Sequence, residues 1–247
     1  MGFNIFSLLA VSAILCVQYN IPLINAMIGR DVHNAHIRNF PFMVAFKNIN
    51  NVNAGPSRDH ICSGALITTR HVLSAAQCLE NRLINQTIIL HGTISLVTSS
   101  PYTILWWITF NEWSNYRNRH LLFRENDISV TMLTHEIQGN VEPAVLSTVS
   151  FHNLVDEYID LVGWGVNHRR FISPNLRTAQ VKVLSNRQCE DQMQLLGQVM
   201  EIHERHFCTH SEPFIILKRG DFGGPVIHHR KIIGVSIDVI PDLGKSK

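Results

Sequence analysis

Four cysteines, Cys62, Cys78, Cys189 and Cys208, are the side chains best suited to covalent or metal chemistry. A fifth, Cys16, lies in an apolar N-terminal run. Thiolates that hold zinc come in close C-x-x-C pairs, and the sequence contains none. His203 and His206 stand three apart beside Glu204, but the spacing is not H-E-x-x-H. Neither a metal nor a cofactor is therefore expected. An even set of cysteines in an exported chain suggests two disulfides. Three pairings satisfy four cysteines, and proximity in sequence favours Cys62–Cys78 and Cys189–Cys208. Asn85-Gln86-Thr87 is an acceptor sequence for glycosylation. Gly220-Asp221-Phe222-Gly223-Gly224-Pro225 sets three glycines around an acid and an aromatic ring. Its Asp-Phe-Gly triplet also occurs in kinases, but no H-R-D loop precedes it and no glycine-rich nucleotide loop exists.

These side chains need elements to position them. Residues 5–17 are apolar and uncharged, too short a run for a membrane span and suited to the centre of a signal peptide. Residues 1–26 are read as that signal, cut either near Gln18 or after Ala26, which leaves 27–247 as one domain. Secretion follows from this reading. Lys and Arg number 21 against 19 Asp and Glu, so charge makes no case for nucleic acid or an anionic membrane. Hydrophobic residues make up 45% of the 247, enough for a sizeable core. Short apolar runs recur at 42–46, 65–67, 87–90, 128–133, 158–162, 181–184, 226–227 and 232–237. Their lengths suit strands and not long helices. Residues 48–56 and 111–119 look like surface loops. The pattern predicts an all-β chain, a sandwich or barrels.

Four segments then fall in a telling order. They are Phe40-Pro41-Phe42-Met43-Val44-Ala45-Phe46, and Ile61-Cys62-Ser63-Gly64-Ala65-Leu66-Ile67 running on to Ala75-Ala76-Gln77-Cys78. Next comes Glu125-Asn126-Asp127-Ile128-Ser129-Val130, with Gly163-Trp164-Gly165 beyond it. The glycine-rich stretch 220–225 follows, and then Gly234-Val235-Ser236. Together, from about Met27 to Ile240, they resemble the chymotrypsin-like (S1) serine proteases. The resemblance implies two six-stranded antiparallel β barrels with a catalytic triad in the cleft between them. It also implies that Cys62–Cys78 brackets the triad histidine.

The residues at the implied triad positions do not fit the chemistry. The mechanism needs a serine nucleophile, a histidine that shuttles its proton and an aspartate that orients the histidine. Gln77 stands where the family has histidine, and a carboxamide does not titrate near neutral pH. Phe222 stands where the family has serine, and a phenyl ring has no nucleophilic atom. Asp127 alone matches, and a hydrogen bond from the Gln77 amide to its carboxylate is expected. Gly220 and Asp221 match the oxyanion loop. If the chain begins at Met27, the resemblance implies that its amine pairs with Asp221. No basic residue precedes that point, so no conventional activation site is visible. Ile216 falls at the floor of the primary pocket, where an apolar side chain cannot select a basic one, and Ser236 falls at its wall. Eleven residues follow Ser236, too few for the family's last strand and C-terminal helix, so an incomplete second barrel is expected.

The sequence thus reads as a secreted serine protease homolog without catalysis. It is similar to inactive homologs of arthropod venoms and immune cascades, which act as cofactors, decoys or binding modules. The partner implied is an unidentified protein, a protease or its substrate. Two alternatives stay open: an active trypsin-like endopeptidase with a relocated nucleophile at Ser236 or Ser63, and a truncated product without function.

Overall fold

A computed structural model describes residues 27–49, 59–118, 126–166 and 171–239. The signal segment 1–26 and its cleavage point lie outside these residues, as does most of the predicted loop 48–56. In chain order the strands of the first half are β1 (Val32–Asn34), β2 (Met43–Asn48), β3 (His60–Leu66), β4 (His71–Ser74), β5 (Thr87–His91) and β6 (Ser100–Thr109). Helix α1 (Phe110–Tyr116) and β7 (Ser129–Leu133) follow. Then come β8 (Val145–Leu146), β9 (Tyr158–Gly163), β10 (Arg177–Leu184), helix α2 (Asn186–Leu195), β11 (Cys208–His210), β12 (Pro225–His228) and β13 (Lys231–Val235). Each of the eight predicted apolar runs overlaps one of these strands.

Strands β2-β3-β4-β7-β6-β5 close into a barrel, so this sheet has no free edge, while β1 pairs with β10 of the second sheet. Alternation sends every second side chain inward. On β7, Ser129, Thr131 and Leu133 are buried while Val130 and Met132 are half-exposed. On β10, Arg177, Ala179, Val181 and Val183 point in. The second half is a seven-stranded sheet in the order β1-β10-β9-β12-β13-β8, with β11 paired to β10. Of the two six-stranded barrels that the resemblance implies, only the first closes, and the open second sheet accords with the incomplete second barrel expected from the sequence. The physical reason is pairing at the edges. β13 meets only two-residue β8 beyond β12, through Lys231 and Ile232. Among the described residues no strand links β11 to β13, so the ring stays open.

The predicted loop 111–119 is also corrected. Residues 110–116 form α1, because Thr109 and Glu112 make a reciprocal capping box. The Glu112 N–H donates to Thr109 Oγ1 at 3.2 Å, and the Thr109 N–H donates to Glu112 Oε2 at 2.8 Å. Ser185 and Gln188 do the same at the start of α2. The apolar interior falls into two clusters. The larger fills the first barrel and includes Trp164, Leu176, Ile227 and Ile232 from the second half, so the two halves share one packed contact. The smaller lies within the second sheet, around Ile159, Val181, Val183 and Val226. Among the described residues no helix is long and apolar enough to cross a membrane.

Candidate functional site

Asp127 lies just before β7, and Gln77 sits in the short 3-10 turn Ala76–Cys78 that follows β4. Strand pairing of β4 with β7 brings the two together across 50 residues of chain. The Gln77 backbone N–H donates to Asp127 Oδ1 at 2.8 Å, and its side-chain Nε2 donates to Asp127 Oδ2 at 2.7 Å. The same Nε2 donates to the carbonyl of Ile237 at 2.5 Å. Both amide hydrogens of Gln77 are therefore used.

Phe222 is half-buried in the turn between Asp221 and Gly223, and its ring packs against both apolar clusters. Its carbonyl accepts the Ser63 N–H at 3.0 Å. Gly220 (φ +98°) and Gly223 (φ +78°) take left-handed backbone that other residues adopt only at a cost. A Cβ at Gly223 would lie 2.1 Å from Ser74 Oγ. Among the described residues, no acceptor meets the backbone N–H of Gly220 or Phe222. The loop could thus donate to a carbonyl oxygen, yet the residue beside it carries no group able to attack.

Asp221 is fully buried. Its carboxylate accepts N–H groups from Gly165 at 2.7 Å and Lys218 at 3.0 Å. A Cβ at Gly165 would stand 1.9 Å from Asp221 Oδ2, so this glycine makes the room the carboxylate fills. Burial pushes the Asp221 carboxyl up to about 7, and the two backbone donors only partly offset this.

His60 was not singled out from the sequence, though it stands just before the Ile61-Cys62 motif. It is fully buried against the same loop, with Nε2 2.9 Å from the Gly220 carbonyl. Ser63 Oγ donates to that carbonyl too, at 2.8 Å. Burial lowers His60 to about 4. The Gly220 carbonyl opposes the shift and the Arg219 charge adds to it. The imidazole is therefore neutral at physiological pH and donates from Nε2.

Ser236 reaches the loop through its backbone. The Gly223 N–H donates to its carbonyl at 2.8 Å, and its own N–H donates to Gly224 O at 2.9 Å. Ile216 bonds elsewhere, in a two-way backbone bridge with Ile28 at 2.9 and 2.8 Å. Asn85 is exposed in the turn Ile84–Gln86 before β5. The two disulfides are Cys62–Cys78 and Cys189–Cys208. Among the described residues no group of His, Cys, Asp and Glu could hold a metal ion.

The comparisons with known proteins agree with this layout. The chain is 27% identical over 191 residues to human serine protease 41, a match covering 69% of this chain and 56% of that protein. The chain thus spans little more than half the length of that relative. It is 23% identical over 212 residues to alkaline trypsin C of Manduca sexta, covering 81% and 76%. Among solved structures it resembles the scabies mite inactivated protease paralogue S-D1, with a TM-score of 0.70, 20% identity, and 85% and 86% of the two chains covered. Mouse neuropsin superposes with a TM-score of 0.65 at 21% identity, covering 83% and 85%. These two structural likenesses establish the fold: a mostly β, trypsin-like architecture. The family profile described as Trypsin matches residues 30–240. The chain belongs to the trypsin family of serine proteases.

Proposed function

We propose that this chain is a secreted pseudoprotease, one that binds a protease or a protease substrate as cofactor or decoy and does not cut peptide bonds. The observation that carries the reading is the pair of side chains at the two reacting positions, Gln77 and Phe222. Gln77 holds Asp127 with both backbone and side chain, in the place of an imidazole that would take up a proton. In serine proteases, loss of the triad costs about 10⁶-fold in turnover and leaves roughly 10³–10⁴ over water from binding and the oxyanion donors. Here the Phe222 ring also packs between the two clusters, beside the donors that would hold a substrate carbonyl. The description of the scabies mite neighbour as an inactivated paralogue adds an analogy for the fold without catalysis. A role in venom or immune fluids of arthropods accords with the family resemblance, and exposed Asn85 accords with passage through the secretory route.

Nothing in the geometry favours a relocated nucleophile. Ser63 is fully buried, and its hydroxyl is spent on the Gly220 carbonyl. Ser236 is 8% exposed, and no hydrogen bond joins its hydroxyl to a base among the described residues. The test is incubation of the purified mature chain with peptide and ester substrates and with a serine-directed phosphonate. Neither hydrolysis nor labelling is expected. Turnover that survives repeated repurification would overturn the reading.

A further inference from the structure

We propose that Gln77 and Phe222 form a clasp that pins residues 236–239 of the second half to the first barrel. The two residues that remove the chemistry thus gain a mechanical role.

The anchor on the first barrel is stiff. Gln77 lies next to Cys78, whose disulfide to Cys62 ties the turn to β3. The Asp127 carboxylate accepts from both the Gln77 backbone and its amide, so the amide is aimed before it meets anything else. Its remaining hydrogen reaches the Ile237 carbonyl, 160 residues away in sequence and just past β13. Among the described residues, the segment it meets has few other ties. Ser236 is held to the glycine loop by its N–H and its carbonyl. The Ile237 side chain rests on the larger cluster and Val239 on the smaller. Among the described residues, Phe222 is the one half-buried apolar side chain packed against both clusters. It sits in the loop that Ser236 is bonded to. The Gln77 hydrogen bond therefore holds this segment directly, and the Phe222 ring holds the glycine loop to which Ser236 is bonded. The chemistry required at position 77 is a donor pair on a side chain long enough to span an acid and a carbonyl. Glutamine has both features; asparagine has the donors but is one methylene shorter.

This inference uses the positions read above as inactive, but its test needs no activity. Hydrogen exchange of the full mature chain would be followed by mass spectrometry over 236–239 and 220–224, with β10 as the control. Gln77→Ala and Gln77→Asn should each speed exchange within 236–239 at the Ser236 N–H, which donates to the Gly224 carbonyl, by about five- to tenfold, as the segment loses the one hydrogen bond that ties Ile237 to the first barrel. Exchange of β10 should stay as in the wild type. Phe222→Ala should speed exchange over both 236–239 and 220–224, and Phe222→Leu less so. Should Phe222→Ala fail to fold, the Gln77 pair decides alone. Wild-type exchange of 236–239 in both Gln77 variants would overturn the clasp and leave the pseudoprotease reading standing. Hydrolysis by the wild type would do the reverse.

Discussion

Asp221 and His60 are both fully buried beside Gly220, and burial moves them in opposite directions. The Asp221 carboxyl titrates at about 7 in the fold, above the ordinary carboxylate value of 3.8. Between those values the folded chain keeps a proton that the unfolded chain gives up. Stability from this group is fully present below pH 3.8 and is lost as pH rises through about 7. His60 titrates at about 4 and not at 6.5. There the unfolded chain binds the proton first, so stability rises with pH from about 4 to 6.5. One proton changes the slope by about 1.4 kcal/mol per pH unit, and over this window the two slopes cancel. His60→Gln keeps a donor for the Gly220 carbonyl and removes the titration. Relative to wild type, its stability should fall with rising pH by about that slope. Asp221→Asn should show the opposite sign. Urea unfolding of the three proteins between pH 4.5 and 6 measures this, and parallel curves would contradict the assignment.

At the scale of elements, the β12–β13 hairpin turns through only His229 and Arg230. Both have positive φ, 47° and 64°, as a type I′ turn requires. Neither side chain suits that region, where glycine and asparagine are the ordinary choices. His229 stacks on His228 with ring centroids 3.9 Å apart, which offsets part of the strain. Replacing the pair, His229→Asn with Arg230→Gly, should stabilise the chain by about 1–2 kcal/mol. Thermal unfolding should then shift upward. A folded variant with an unchanged or lower midpoint would show that the stacking outweighs the strain.

Across the whole molecule, each half carries one disulfide, and neither links the halves. Cys62–Cys78 joins β3 to the turn holding Gln77, and Cys189–Cys208 joins α2 to β11. Their sequence separations, 16 and 19, are similar, so the chain-entropy argument gives each about 3 kcal/mol. Paired Cys→Ser replacement of either disulfide should lower stability by about that amount. Non-reducing peptide mapping should recover these two links, and a Cys62–Cys189 peptide would contradict the architecture. The shared apolar contact between the halves, which includes Trp164, and the hydrogen bonds that cross it hold them together without a covalent tie. The Trp164 ring is almost fully buried and donates from Nε1 to the Ile94 carbonyl at 2.8 Å.

The sequence alone determined what positions 77 and 222 can do, because reactivity belongs to the side chain and no fold gives a phenyl ring a nucleophile. It also determined the family, through the order of its motifs, and the main strands, through their short apolar runs. Helices α1 and α2 were legible as well: Thr109-x-x-Glu112 and Ser185-x-x-Gln188 are capping-box spacings that the strand reading passed over. Strand β6 was harder, because Trp106 and Trp107 blur its alternation where a bulge lies between Ile104 and Trp106. Only the tertiary structure decided how the second sheet ends, with two-residue β8 as the outer partner of β13, since closure depends on which edges find partners. It alone placed His60 against Gly220 and Gln77 against Ile237, each pair 160 residues apart. Such contacts obey no local period. They exist because two halves, each folded on its own pattern, meet across a common apolar face and bring their loops within hydrogen-bonding distance.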